Sequence, residues 1–546
     1  MNIGKKHTGL FQRIILETDH NLDEVNLHWS IYDKQLFFVT AISIYDKYFL
    51  ESKSEEPHHS AFFYRIIEYG YPVFIRKFYH LEFCQLPGVV HKAVESHMME
   101  LYDKLLYSCG ILGWMQSFVD NINAGYYSCF NIGRFIRVRF KDRFHWNEYI
   151  EEQYCSWYSS MVAALKKDEY EELDKKLPGV LEKLKQSVFV WDKAFLGYTT
   201  DYEIEDFFQK HALLDTQQST EWELFPENSK FGSISYGDIV EAIVELSGYA
   251  IKHVYCACVL KNKQIDLKIE NLLHIILTGS DLVRLIGENR DISEKDAKDI
   301  LQLISLAPET KDYYKNGNAR CAPLIKVSNT QYIRSIRGVL EESFGFMLYN
   351  LRNQYSKEWD KNANQRERYF RNQLYGLFTS TRFRCVSHPV KIERNGRVIT
   401  DIDAVIIDKK NGEIGLFQLK WQDPSGFSPF SLRSKRTNYN KETEQWLSAI
   451  QQWIADSSDK EIAARIGIPA RYIRKQNIHL FVLGRKHGNY SGDTIPEQKC
   501  CWSQWYQMML IAGKLNNEDE LTLSKVHLRL LVQNEHKNNS ISTESK

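Results

Sequence analysis

The alternation of apolar and polar residues is clearest in the C-terminal part of the chain. Residues 367–378 carry apolar side chains at four-residue spacing and predict a helix. Three β-branched runs follow, joined by Asn-Gly turns at 395–396 and 411–412, which is typical of an antiparallel meander. A helix, a buried strand and a last helix are predicted after residue 437. This order predicts an α/β sandwich in which helices flank a mixed central sheet.

The pattern before residue 356 predicts mainly helices in an α+β region. Strands are predicted at 35–52 and 132–140, and helical spacing dominates from 141 onward, including one long helix over 330–355. The polar segment 356–368 is the expected domain boundary. The predicted divisions are an aromatic-rich mixed region at 1–140, a mainly helical region at 141–355, an α/β domain at 361–532 and a disordered tail at 533–546.

Length and composition indicate a folded, multidomain protein. The chain has 546 residues, of which 43% are apolar and 26% charged, as in ordinary globular proteins. No apolar run is long enough to predict a membrane span, and the N-terminal stretch lacks the features of a secretion signal. Ten cysteines without a CxxC pair predict reduced thiols. The expected location is the cytoplasm.

Charge is unevenly distributed although the chain as a whole is neutral. Residues 361–546 contain 29 Lys and Arg against 19 Asp and Glu, and residues 1–360 contain 41 against 51. A basic domain joined to an acidic region indicates a polyanion partner for the basic part. A solvated surface without a partner is the equally favoured alternative.

Polar side chains interrupt the apolar strands at 400–422 and form the main candidate site. Residues two apart in a strand share a face, so Gln418 and Lys420 lie together while Leu419 points to the other side. Asp401 and Asp403 are expected to share a face in the same way. Pairing of the two strands through the turn at 411–412 would bring Asp403 towards Gln418 and Lys420. Oxygen ligands beside a lysine suit hydrolysis of a phosphodiester assisted by Mg²⁺ or Mn²⁺.

The order Asp403, turn, Gln418-x-Lys420 resembles the PD-(D/E)xK nuclease superfamily, which shares the core of restriction endonucleases. Gln in the middle position is similar to the Mrr-like variant of that motif. The resemblance covers about residues 360–490 and implies a restriction-endonuclease-like domain that hydrolyses DNA. An RNA nuclease, or an inactive domain that binds nucleic acid or protein, is the alternative. Nucleases with added regions are frequent in bacterial defence against phage.

The resemblance also implies roles for particular residues. Asp403 would be the central metal ligand, Gln418 would offer its amide oxygen, and Lys420 would act on the nucleophilic water or the phosphate. The backbone carbonyl of Leu419 would be an extra ligand. The further acidic ligands would be Glu367, on the preceding helix, and Asp401.

A basic segment follows the second strand of this site. Arg433, Lys435, Arg436 and Lys441 lie in a stretch of 431–441 without acidic residues, which is suited to sequence-independent contacts with phosphates. A solvated loop is the alternative. The N-terminal region could mediate homo-oligomerisation or hold a protein partner.

Overall fold

The chain forms two compact units in a computed structural model. The first is built mainly from Met1–Arg139 and Ser159–Asp360, and the second mainly from Lys361–Gly426 and Phe430–Lys546. The structure describes residues 3–25, 28–54, 57–132, 135–140, 156–219, 222–288, 290–315, 319–394, 396–423, 429–485, 500–518 and 520–531. The predicted tail at 533–546 lies outside these residues.

The part of the chain before residue 361 is mostly helical. Its described helices are α1 Ile3–Glu24, α2 Ile31–Ser52, α3 Ala61–Phe78, α4 Ser96–Asn123, α5 (156–165), α6 Lys167–Ser187, α7 Tyr202–Gln218, α8 Tyr236–Lys263, α9 Ile269–Leu272, α10 Gly279–Glu288, α11 Glu294–Leu303, α12 Ile336–Leu340, α13 Ser343–Gln354 and α14 Ser356–Gly376, which continues past residue 361.

Short strands accompany these helices. They are β1 Tyr127–Ile132, β2 Phe135–Phe140, β3 Val188–Trp191, β4 Phe195–Tyr198, β5 Lys230–Phe231, β6 Ile234–Ser235, β7 Ile276–Thr278, β8 Ser305–Leu306, β9 Leu324–Lys326 and β10 Gln331–Arg334. The strands β7 to β10 form one sheet in the order β7-β10-β9-β8, and the others form two-stranded sheets.

The prediction of a strand at 35–52 is wrong, because this segment belongs to helix α2. Ser30 caps the helix by accepting a hydrogen bond from the backbone N of Asp33. Most residues from Phe37 to Phe49 are buried in the core of the first unit. A helix buried on almost every side has no polar stripe, so its aromatic and β-branched run resembles a strand in sequence.

The long helix predicted over 330–355 is interrupted by a strand. This segment contains β10 followed by α12 and α13. β10 pairs antiparallel with β7 and with β9, so tertiary pairing overrides the local helical spacing. Residues of the predicted regions 1–140 and 141–355 share one core, in which Phe74 and Tyr314 belong to the same cluster.

The second unit contains a five-stranded mixed sheet with helices on both faces. Its remaining described elements are β11 Phe383–Cys385, β12 Val390–Arg394, β13 Arg397–Ile402, β14 Ala404–Asp408, β15 Glu413–Lys420, α15 Pro429–Asp456, α16 Asp459–Ile466, β16 Ile478–Gly484, β17 Cys500–Gln504, α17 Trp505–Glu518 and α18 (523–531). The sheet order is β11-β14-β15-β16-β17, and β12 and β13 form a separate hairpin.

Strand alternation places apolar residues on both faces of this sheet. Val405 and Leu416 join a core that includes Trp446 of α15, whereas Ile406 and Phe417 join a core that includes Phe370 of α14. β14 and β15 are antiparallel, and β15, β16 and β17 are parallel. A sheet covered on both sides explains why these strands are almost continuously apolar. The expectation of a multidomain protein with mixed α and β elements is confirmed.

Among the described helices, α8 has the length and composition of a membrane span. In its most apolar window, 72% is buried inside the protein, as is usual for a core helix. The described cysteines, which exclude Cys155, are free thiols.

Candidate active site

Asp403 lies at a bend between β13 and β14. Its backbone N donates a hydrogen bond to the carbonyl O of Phe417 at 3.0 Å, next to the register pair Ala404 and Phe417. Because β14 and β15 are antiparallel, the start of β14 meets the end of β15. The hairpin therefore brings Asp403, Gln418 and Lys420 to one edge of the sheet.

The carboxyl group of Asp403 is almost completely enclosed. Asp403 is 3% exposed and Gln418 is 7% exposed. Oδ2 of Asp403 accepts a hydrogen bond from Nε2 of Gln418 at 2.5 Å and from the backbone N of Leu419 at 2.7 Å. Nη1 of the buried Arg371, on α14, donates to the carbonyl O of Asp403 at 3.0 Å. The bend is thus fixed from two sides, and the carboxyl group is held at a defined position.

The electrostatic surroundings of Asp403 disfavour its charged form. The pKa of Asp403 is raised to about 8, chiefly by burial and in addition by the carboxyl groups of Glu367 and Asp401. The hydrogen bond from Leu419 N and the charge of Lys420 act in the opposite direction. Carboxyl groups that repel one another in a buried place are often found where a protein binds a cation or moves a proton.

Glu367 and Asp401 are the more accessible acidic groups of this site. Burial around its carboxyl group raises the pKa of Glu367, although the residue as a whole is exposed on α14; Lys420 lowers this pKa and Asp401 raises it. Asp401 is exposed on β13, and its carbonyl O accepts a hydrogen bond from Nε1 of Trp446. The bend at Asp403 separates β13 from β14, and Asp401 is exposed whereas Asp403 is buried.

Lys420 has a partner that the sequence analysis missed. Its Nζ donates to Oε2 of Glu442 at 3.1 Å, and its side chain is 23% exposed. Glu442 lies on α15, 22 residues further along the chain. The apolar spacing after this strand predicts the helix that carries Glu442. It does not predict which face of that helix lies towards Lys420.

The other proposed metal ligands need separate comment. Gln418 directs its amide N towards the carboxyl group of Asp403. Its amide O would face this carboxyl group only after a 180° rotation of the Gln418 amide. The backbone N of Leu419 bonds to Asp403, and the ligand role proposed for its carbonyl stays a prediction. Within the described ranges, no group of three His, Cys, Asp or Glu side chains is placed to hold a metal ion.

The predicted basic segment is helical. Residues 431–441 belong to α15, where Arg433 and Lys441 are exposed. Nζ of Lys435 donates to the carbonyl O of Asp423 at 3.3 Å, which places the start of α15 beside the residues that follow β15. The side chain of Arg436 lies outside the described parts of the structure.

Comparisons with known proteins identify no relative. No family model matches the chain, and no curated protein and no solved structure shows significant similarity to it.

Proposed function

We propose that the second unit is a metal-dependent nuclease domain of the restriction-endonuclease-like class, which hydrolyses phosphodiester bonds of DNA. One observation carries the proposal: a buried carboxyl group at the start of β14 meets an amide and a lysine at the end of β15. The order α14, antiparallel strands, α15 and parallel β16 supports it, since it agrees with the arrangement that the sequence resemblance implies.

The residues present fit Mg²⁺ or Mn²⁺. Mg²⁺ prefers oxygen ligands, keeps several waters and needs only one or two protein carboxylates. Asp403 would hold the ion, with Gln418 and the Leu419 carbonyl as neutral ligands and Glu367 or Asp401 as a second acidic group. The mutual repulsion of these carboxyl groups is the observation that favours a cation at this place. A bound metal would lower the pKa of a coordinated water and offset charge on the phosphate.

Lys420 has the role of a charged donor in this account. Lys420 lies at the end of β15, where Glu442 holds its Nζ. From this position Nζ can donate a hydrogen bond to the attacking water or to a phosphate oxygen. Arg371 keeps the backbone of Asp403 in place, and the Leu419 N–H orients its carboxyl group. These three contacts hold Asp403 and Lys420 in position before substrate binds.

A domain that binds nucleic acid without cutting it is the second candidate. The observation that favours it is the neutral Gln418, whose amide N faces Asp403. A neutral residue leaves the site with one negative charge fewer than a glutamate would give, which weakens the affinity for a divalent cation.

The test is cleavage of supercoiled plasmid and of RNA by the full-length protein with Mg²⁺ or Mn²⁺. Wild type is compared with Asp403→Ala and Lys420→Ala, and all three are checked for binding to the same nucleic acid. Nicking or linearisation by wild type alone, with binding retained by Lys420→Ala, is the expected result. Binding without cleavage by every form and with either metal would favour the second candidate.

A further inference from the structure

Two aromatic side chains belong to segments of the chain that also carry residues of the candidate site. Tyr369 follows Glu367 by two residues on α14 and is 41% exposed. Trp421 directly follows Lys420 and is half-buried. The ring centroids of Tyr369 and Trp421 are 6.0 Å apart, with an angle of 44° between the ring planes. The two rings form an aromatic surface near the C-terminal end of β15.

The indole ring of Trp421 is held by contacts with Arg485 and Phe370. The guanidinium carbon of Arg485 lies 4.8 Å from the Trp421 ring centroid, and the Phe370 ring meets it edge to face at 5.9 Å. The backbone N of Arg485 donates to the carbonyl O of Lys420 at 2.7 Å, so the same residue supports the lysine and the indole. An aromatic ring that is immobilised before binding loses little entropy when a ligand stacks on it.

Positive charge accompanies this surface. Arg368 is exposed beside Tyr369 on α14, and Arg433 and Lys441 are exposed on α15. Lys435, near the start of α15, donates to the carbonyl O of Asp423, which follows Trp421 by two residues in the sequence. Basic groups next to an aromatic surface are the combination with which proteins bind the backbone and bases of a single strand.

We propose that Tyr369 and Trp421 stack on a base of the bound nucleic acid, so that the substrate is an unpaired nucleic-acid strand. Bases within a duplex are already stacked on their neighbours, and only an unpaired or extruded base offers a face to a side chain. The inference rests on the proposed nuclease function, because that function places nucleic acid at this end of the sheet. Base stacking can nevertheless be measured without cleavage. Single-stranded DNA and RNA share this chemistry.

The experiment measures stacking and affinity with full-length protein in Ca²⁺, without turnover. Twelve-nucleotide DNA and RNA strands carry fluorescein for anisotropy, or 2-aminopurine at successive positions, whose fluorescence is quenched by stacking. The same DNA is also tested as a duplex. Tyr369→Leu removes the ring, Tyr369→Phe retains it, and Tyr202→Leu is the control for loss of an exposed tyrosine in the first unit.

We expect an unpaired strand to bind at least about tenfold more tightly than the duplex, with quenching at one or two positions. Tyr369→Leu should weaken binding by about tenfold and abolish the quenching, whereas Tyr369→Phe and Tyr202→Leu should behave as wild type. A preference between the DNA and RNA strands would identify which of the two is the ligand. Equal binding of duplex and single strand, or unchanged binding by Tyr369→Leu, would overturn the inference.

The outcome is distinguishable from failure of the proposed function. Cleavage of plasmid without quenching would leave the nuclease proposal standing and refute the stacking surface. Quenching that depends on Tyr369, with no cleavage in the presence of either metal, would support the stacking surface and refute the nuclease proposal.

Discussion

Substitution of Asp403 by Asn should stabilise the protein, and the gain should depend on pH. The folded chain holds this carboxyl group in its neutral form, because burial and neighbouring acids raise its pKa from 3.8 to about 8. The unfolded chain releases the proton above about pH 4. The free energy of unfolding therefore decreases as pH rises from about 4 to 8. Above the folded-state pKa this loss, the penalty, is constant. Asparagine has no proton to lose and still offers an oxygen to Leu419 N.

The size of the effect follows from this shift. Each pH unit between the two pKa values contributes about 1.4 kcal/mol, so the penalty at pH 7 is about 4 kcal/mol as an upper limit. At pH 4 it is close to zero. The difference in stability between Asp403→Asn and wild type should therefore grow by several kcal/mol between pH 4 and pH 8.

The assay is unfolding by urea, followed by circular dichroism, at unit steps from pH 4 to pH 8 without divalent metal. Asp266→Asn is the control for the loss of an exposed carboxyl group, because Asp266 lies in the first unit and should leave the pH dependence of stability as in wild type. Mg²⁺ at pH 8 should reduce the difference by stabilising wild type alone, since only the carboxylate binds the ion tightly. A difference that is constant with pH, or a variant that is less stable throughout, would refute the reasoning about Asp403.

Three further substitutions examine the neighbours of Asp403. Lys420→Ala should lower kcat by about 100-fold or more while retaining DNA binding, because a charged donor at the phosphate is lost; a smaller loss in single-turnover cleavage would contradict this role. Gln418→Glu adds a carboxylate and should tighten Mn²⁺ binding, measured by electron paramagnetic resonance, by about tenfold; weaker binding would exclude position 418 from the metal site. Glu442→Gln should lower kcat by about two- to fivefold at unchanged KM, since a partly exposed ion pair that positions Lys420 is lost. The control Glu444→Gln on the same helix should have no effect, and equal effects of the two would show that Glu442 acts only through surface charge.

Local sequence patterns were sufficient for the hairpin that carries the candidate site. The Asn-Gly turn at 411–412 has Gly412 at a positive φ of 68°, as the turn requires, and the flanking strands pair as the alternation predicts. The convergence of Asp403 with Gln418 follows directly from that pairing.

Features that depend on tertiary packing were not accessible from the sequence. The carbonyl O of Asp403, at the bend, accepts a hydrogen bond from Arg371, which is 32 residues away in the sequence. The pairing of Lys420 with Glu442 depends on how α15 lies against the sheet. β17 was missed because Cys500–Gln504 is a short run that becomes a strand by pairing with β16. The helix α2 was mistaken for a strand because it is buried on nearly all sides.

The most direct measurement is the time course of cleavage of single-stranded DNA and of supercoiled plasmid at pH 8 in Mg²⁺ by wild type and Asp403→Asn. The variant is expected to fold at least as well as wild type, so loss of activity cannot be attributed to unfolding. The account predicts cleavage of at least the single strand by wild type, suppression by excess EDTA and no cleavage of either DNA by Asp403→Asn. Equal cleavage by the two proteins would contradict the assignment of Asp403 as the centre of a metal-dependent nuclease site.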